Sequence, residues 1–242
     1  MIWFSEAARA TSAPRTLRRA MLAVEQLETR DLLSAATLVV SSGIVLSNEG
    51  LADFVTAEYN ALLHRAPENA GLQAWVTQLA MGAPPETVEA GIVASAEYFR
   101  NHGSNATQWV TGLYNDLLGR GSDSAGLNAW VNAVTTGVGR DQIGFAFAAG
   151  PEREGINITN DYVNFLKRSP ETGAITFWRS FLAQGHNRND VAIQILASNE
   201  FFNLRGGDAS NFIIGVYQDI LNRTPGTTEI NGWINIYLQN LP

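Results

Sequence analysis

The histidines and carboxylates of this 242-residue chain, which could carry acid–base or metal chemistry, are scattered along it, and no pair of carboxylates stands out. The three histidines, His64, His102 and His186, follow no common spacing, and we expect all three to face solvent. The chain has no cysteine, so thiol catalysis and thiolate metal sites are excluded. It also has no nucleophile elbow, phosphate loop or dinucleotide fingerprint. We therefore expect no catalytic residue, no cofactor and no metal ion.

One stretch, Ser-Asp-Ser-Ala-Gly at residues 122–126, resembles the start of a calcium loop. Such a loop needs oxygen ligands at alternating positions and a glutamate at the twelfth, and no glutamate closes this one. We expect Asp123, and likewise Glu68 and Glu171, to begin helices instead. Stabilisation by calcium stays a third hypothesis, which a melting curve with and without chelator tests.

A stronger pattern places an arginine and, ten residues later, a tryptophan at four places in the chain. The pairs are Arg65 and Trp75, Arg120 and Trp130, Arg168 and Trp178, and Arg223 and Trp233. The arginines are 55, 48 and 55 residues apart. The first copy reads Arg-x-Pro-x-x-x-Gly-Leu-x-x-Trp. Self-similarity of this kind predicts one supersecondary unit stacked on copies of itself.

Hydrophobic spacing within each unit predicts three helices. In the second helix of the first unit, Leu72, Trp75, Val76 and Leu79 follow the i, i+3, i+4, i+7 rule. The third helix is expected to close with a Ser-x-Glu-aromatic segment at Glu97, which recurs at Glu200. We expect the second helices to end in left-handed residues, and the candidates are Gly82, Gly137, Gly185 and Asn240.

The predicted fold is therefore all-α, with tandem three-helix repeats packed as a helical bundle or array and a truncated fourth repeat. It contains about eleven helices. The repeats are placed at residues 48–104, 105–155, 156–206 and 207–242. Residues 1–47 are predicted to be a largely disordered export segment, within which 38–46 could form an isolated strand.

The repeated side chains are most simply structural. A tryptophan on the apolar face of a helix indicates a core residue. The arginines follow helix ends, where they can donate to free carbonyls or hold a neighbouring segment. We predict contacts between Arg65 and Glu97 and between Arg168 and Glu200. A repeated anion site is the rival interpretation.

Composition restricts the partners. The net charge is −7 and Lys167 is the single lysine, so no basic stripe is present for nucleic acid. No apolar run reaches the length of a membrane span. Charged residues make up 16% of the chain, which is compatible with life outside the cytoplasm.

Two parts of the chain resemble known sequence families. Residues 27–33, Leu-Glu-Thr-Arg-Asp-Leu-Leu, preceded by Arg18 and Arg19, resemble the Leu-Glu-Pro-Arg-x-Leu-Leu motif of exported planctomycete proteins, with Thr29 in place of proline. This implies a secreted or cell-surface protein. From residue 52 onward, the repeats resemble the bacterial family of domain of unknown function 4214, and in pattern the phycobilisome linker domains. Resemblance to the unknown-function family implies an all-helical exported protein without established activity.

We therefore expect a non-enzymatic, exported helical repeat module that binds a surface or extracellular protein, a glycan, or itself. Its contact surface is expected in the asparagine-rich segments 101–107 or 206–211. The alternative is a hydrolase acting on an extracellular polymer, or its accessory domain. A cleft that gathers carboxylates from different repeats would favour that alternative.

Overall fold

The computed structural model describes residues 35–241, which form fourteen α-helices and no strand within that range. The helices are α1 (Ala35–Val45), α2 (Asn48–Leu63), α3 (Asn69–Ala80), α4 (Glu86–Ala94), α5 (Ala96–Asn101), α6 (Ala106–Leu118), α7 (Ser124–Thr135), α8 (Arg140–Ala148), α9 (Pro151–Leu166), α10 (Ala174–Leu182), α11 (Arg188–Leu196), α12 (Asn199–Leu204), α13 (Ala209–Ile220) and α14 (Thr227–Gln239). The predicted all-α repeat fold is confirmed.

The ends of the first helices show why the signature arginines follow them. The residue before each arginine adopts a left-handed conformation, which stops the helix and turns the arginine back along it. These residues are His64, Gly119, Lys167 and Asn222.

The second helices end mostly as predicted. Gly82, Gly137 and Gly185 have φ angles of 93°, 101° and 100°. The prediction for Asn240 is wrong, because its φ of −111° lies outside the left-handed region.

Helix starts explain the uneven repeat spacing. Ser95 is extended and its hydroxyl accepts the N–H of Tyr98, so it begins the separate short helix α5 rather than closing α4. Ser198 begins α12 in the same way. After the second unit, the equivalent segment, with Glu152, is instead the first turn of the 16-residue helix α9. That fusion accounts for the 48-residue spacing between two spacings of 55.

The repeats pair into two halves, each with its own core. The first half is α2–α8, in which α4 packs along α8. The second half is α9–α14 together with α1, which packs against α11, α13 and α14. Helix α1 thus holds in the second half the place that α8 holds in the first.

Helix α1 corrects two predictions. Residues 35–47 are neither disordered nor a strand. Ala36, Val40 and Ile44, four residues apart, form one buried face of a helix in the core of the second half. The hydroxyl of Thr37 donates to the carbonyl of Ala197 at 2.9 Å. The rest of the predicted export segment, including its Leu-Glu-x-Arg-x-Leu-Leu motif, lies outside the described residues.

Within residues 35–241, no single helix has the length and apolarity to cross a membrane. Helices α1 and α2 together reach that length and apolarity, although the chain bends by 57° between them.

Candidate functional site

Each of the four signature arginines donates two hydrogen bonds to the carboxylate of one glutamate. The pairs are Arg65–Glu97, Arg120–Glu152, Arg168–Glu200 and Arg223–Glu49. The two predicted contacts are present: Arg65 Nε lies 2.6 Å from Glu97 Oε1, and Arg168 Nη2 lies 2.8 Å from Glu200 Oε2. The sequence pattern did not predict the other two pairs.

The guanidinium groups are further held by aromatic stacking. Each lies over the ring of a tyrosine six residues earlier, at 4.9 to 5.4 Å from the ring centroid. The tyrosines are Tyr59, Tyr114, Tyr162 and Tyr217. In the first three units the arginine also donates to the carbonyl of the next residue, not to the last carbonyls of the helix. These contacts favour a structural role over an anion site.

Hydrogen bonds from the arginines favour the ionised forms of Glu49, Glu97 and Glu152, whose pKa values are lowered. Hydrogen bonds from Arg65 lower the pKa of Glu97, and those from Arg223 lower the pKa of Glu49. Arg223 also bonds Glu229, and this contact, helped by the N–H of Gly226, lowers the pKa of Glu229 to about 2.

The four signature tryptophans are only half-buried, which corrects the prediction that they lie in the core. Their rings cover the outside of the two cores. In the first and fourth units the indole lies against a glycine of the third helix, with Trp75 on Gly91 and Trp233 on Gly43. The one fully buried tryptophan of the described range is Trp109, whose Nε1 donates to the carbonyl of Val93 at 2.8 Å.

The histidines do not all face solvent. His64 and His186 are exposed. His102 is half-buried, because its ring stacks on Tyr98 and its Nε2 lies 3.1 Å from Asp116 Oδ2. The prediction is therefore wrong for His102.

A buried ionic cluster lies where the two halves meet. Glu89 of α4 is fully buried, and its carboxylate accepts two hydrogen bonds from Arg153 of α9, at 2.9 and 3.1 Å, and one from Arg188 of α11, at 2.8 Å. Arg188 also donates to Glu58 of α2 at 3.3 Å. Buried charges are costly unless they are paired, so this cluster requires the two halves to stay docked.

Two carboxyl groups in this region have pKa values raised into the neutral range. Burial, together with repulsion from Glu89, raises the pKa of Glu58 to about 7, against the attraction of Arg188. Burial raises the pKa of Asp161 to about 7 as well. Perturbed carboxyl groups of this kind are concentrated at functional sites.

An open cavity of about 520 Å³ adjoins the cluster and reaches Asp161. Its walls combine the ring of Phe54 from the first half and that of Phe165 from the second with amide side chains of the second half. The amides are Asn164, Asn189, Gln218 and Asn222. Asp161 Oδ2 is buried and accepts no hydrogen bond within residues 35–241. Asn157 Oδ1 is also unpaired in that range, but it lines a separate, much smaller pocket. The cavity volume lies within the usual range for ligand pockets.

The unpaired oxygen of Asp161 determines what this site can bind. In its ionised form it accepts hydrogen bonds, so it calls for a donor: a water, a hydroxyl or an amine. Among the described residues, no group of three or more histidine or acidic side chains could hold a metal ion. The predicted contact segment 101–107 borders a separate, shallower cavity of about 440 Å³ with His102 and Gln108 in its walls.

One sequence signal could have found this site. Seven residues before the signature arginine, the second and fourth units have Leu113 and Val216. The first and third units have Glu58 and Asp161 at the same place. Carboxylates in an apolar column indicate a buried polar contact, but only the fold shows that this contact lies between the halves.

Comparison with known proteins finds one family. The family described as Domain of unknown function (DUF4214) matches residues 46–102, 89–157 and 155–205, about two thirds of the chain. No curated protein and no solved structure matches.

Proposed function

Because the chain belongs to the DUF4214 family, and its matched segments are tandem helical units, we propose that it is a non-enzymatic binding module of the cell surface or extracellular matrix. Its partner is a surface or extracellular protein or glycan, which binds in the cavity between the two halves. Export is supported by the resemblance of residues 27–33 to the planctomycete motif and by the low content of charged residues.

The unpaired oxygen of Asp161 in the cavity carries this proposal. The repeated arginines, glutamates and tyrosines bond mainly one another, so they serve as framework. The cavity instead presents Asp161 Oδ2 without a donor, beside amides that offer both donors and acceptors. A few well-placed polar groups on a partly apolar wall are typical of a pre-formed ligand site.

A steric variant tests the cavity without removing any of its polar groups. Ala57 lines the cavity from the exposed side of α2, and Ala61, one turn further on, is exposed and does not line it. Ala57→Trp should abolish binding of matrix polysaccharides and surface proteins to the immobilised chain, measured by biolayer interferometry. Ala61→Trp should leave it unchanged. If both variants bind as the parent chain does, the cavity is not the site.

A hydrolase acting on extracellular polymers is the second candidate. The observation that favours it is the neutral-range pKa of Asp161 at the cavity, since a carboxyl group with pKa about 7 can act as a general acid. Release of reducing ends from matrix polysaccharides, lost in Asp161→Asn, would favour the enzyme. Binding without turnover, retained in that variant, would favour the module.

A further inference from the structure

The second unit differs from the other three in one hydrogen bond. In the first, third and fourth units, the signature tryptophan donates from Nε1 to the hydroxyl of a tyrosine sixteen residues earlier, at 3.3, 3.1 and 2.8 Å. In the second unit these residues are Trp130 and Tyr114. Trp130 Nε1 finds no acceptor anywhere in residues 35–241, and the ring is tilted by 52° against Phe147.

Phe147 lies beside the two residues that lack this hydrogen bond in the second unit. Its ring lies 5.1 Å from that of Tyr114 and 5.2 Å from that of Trp130, in contact with both. At the equivalent place in the other third helices, including α1, the chain has an isoleucine. These residues are Ile44, Ile92 and Ile195. The larger ring is therefore the sequence difference that accompanies the missing hydrogen bond between Tyr114 and Trp130.

A cavity of about 180 Å³ lies at this place. Tyr114, Trp130 and Phe147 form its aromatic walls, and Arg120 and Glu152 also line it. This ion pair is exposed: 44% of the Arg120 side chain is accessible, against 32 to 35% for the other signature arginines. The site thus combines ring faces with a free N–H donor and a charged pair that both donates and accepts.

These groups select the chemistry of the ligand. A free anion is disfavoured, because Glu152 already neutralises Arg120. An extended peptide is disfavoured, because the cavity is about one ring in size. A sugar ring fits, since its apolar face can lie on the indole while its hydroxyls reach Trp130 Nε1, Arg120 and Glu152.

We propose that the second unit carries a saccharide site, in which one pyranose ring stacks on Trp130. It is separate from the cavity between the halves, so it does not depend on the function proposed for that cavity. The other three units lack the site because their tryptophans are bonded to tyrosines.

Indole N–H signals in ¹H–¹⁵N spectra test this proposal. Glucose, N-acetylglucosamine and cellobiose are titrated to tens of millimolar into the ¹⁵N-labelled full chain. The signal missing in Trp130→Phe identifies Trp130. We expect it to shift and saturate with at least one sugar, while the Trp75 signal, assigned in the same way, stays in place.

Phe147→Ile is the decisive variant, because it gives the second unit the residue found in the other three. It should keep the fold, bring Trp130 to Tyr114 and abolish the sugar-dependent shift. Trp178→Phe, the matched control, should leave the shift unchanged. The proposal is overturned if no sugar moves the Trp130 signal, if Phe147→Ile binds as well as the parent, or if a proline-rich peptide moves the signal and sugars do not.

Discussion

Arg223 donates two hydrogen bonds to the carboxylate of Glu49, although 174 residues separate them in the chain. Glu49 lies in the segment Ser47-Asn48-Glu49, which has the same form as Ser198-Asn199-Glu200 after the third unit. The N-terminal side of the array therefore supplies the fourth unit with both its third helix, α1, and its glutamate. The first and fourth units are joined at the place where the sequence pattern suggests a truncated repeat.

Removal of residues 1–47 should unfold the second half. The deletion takes Val40 and Ile44 out of its core, and each fully buried aliphatic side chain contributes about 1.5–3 kcal/mol. Since domains are stable by only about 5–15 kcal/mol, we expect the melting transition measured by circular dichroism to lose the part of its amplitude that comes from the second half.

A chain that begins at Ala35 provides the control, and it should melt as the full chain does. A synthetic α1 peptide added to residues 48–242 should restore the transition. A cooperative, full-amplitude melt of residues 48–242 alone would show that α1 is dispensable.

The glycines beneath the indoles should tolerate no side chain. A Cβ at Gly43 would lie 2.6 Å from the ring of Trp233, and one at Gly91 would lie 2.4 Å from that of Trp75. Overpacking costs about 1–3 kcal/mol and outweighs the roughly 1 kcal/mol gained in helix propensity. Gly43→Ala and Gly91→Ala should both lower the urea midpoint. Gly232→Ala in α14, where nothing lies within 4 Å, should raise it.

The stability of the protein should fall as the pH rises from about 5 to 8. Glu58 and Asp161 have folded pKa values of about 7, above those of unfolded carboxyl groups near 4. Between these values the folded state binds more protons, so raising the pH favours unfolding, by up to about 1.4 kcal/mol per pH unit for each group. Below both values the difference disappears. Urea titrations at pH 5, 6, 7 and 8 measure the slope.

Isosteric variants show which carboxyl groups cause this pH dependence of the free energy of unfolding. When Glu58→Gln is combined with Asp161→Asn, the free energy of unfolding should no longer change between pH 5 and 8. Glu97→Gln should leave that slope unchanged, because its folded pKa is lowered and its contribution is lost only as the pH falls below about 4. A parent chain equally stable at pH 5 and pH 8 would contradict the assignment.

The signature ion pairs should stabilise the fold and should not bind anions. For Arg168 and Glu200, each about one third exposed, a double-mutant cycle to alanine should give a coupling of about 1 kcal/mol or less. The melting temperature of Arg168→Ala should fall, and phosphate should stabilise the parent no more than this variant. An unchanged melting temperature would argue against the structural role.

Much of the fold could be predicted because the repeated residues form helices, helix ends and contacts within a single unit. Helical spacing, the glycines after the second helices and the Arg65–Glu97 contact all follow from neighbours within one unit. Spacing overestimates the burial of Trp75, because it shows which side of a helix faces inward and not how much covers it. The apolar segment of α1 had no visible partner, since the helices against which it packs, α11, α13 and α14, lie more than 140 residues further on.

The sequence by itself determined the units: their helices, most of their stops and the arginine that pairs with a glutamate in the first and third units. Only the tertiary structure decided how the units close on one another, where Glu58, Glu89 and Arg188 meet, and which tryptophan is left without an acceptor. The physical reason is that helix formation and capping depend on residues a few positions apart. Burial, ion pairing between halves and the opening beside Trp130 depend on surfaces that meet only after every unit has folded.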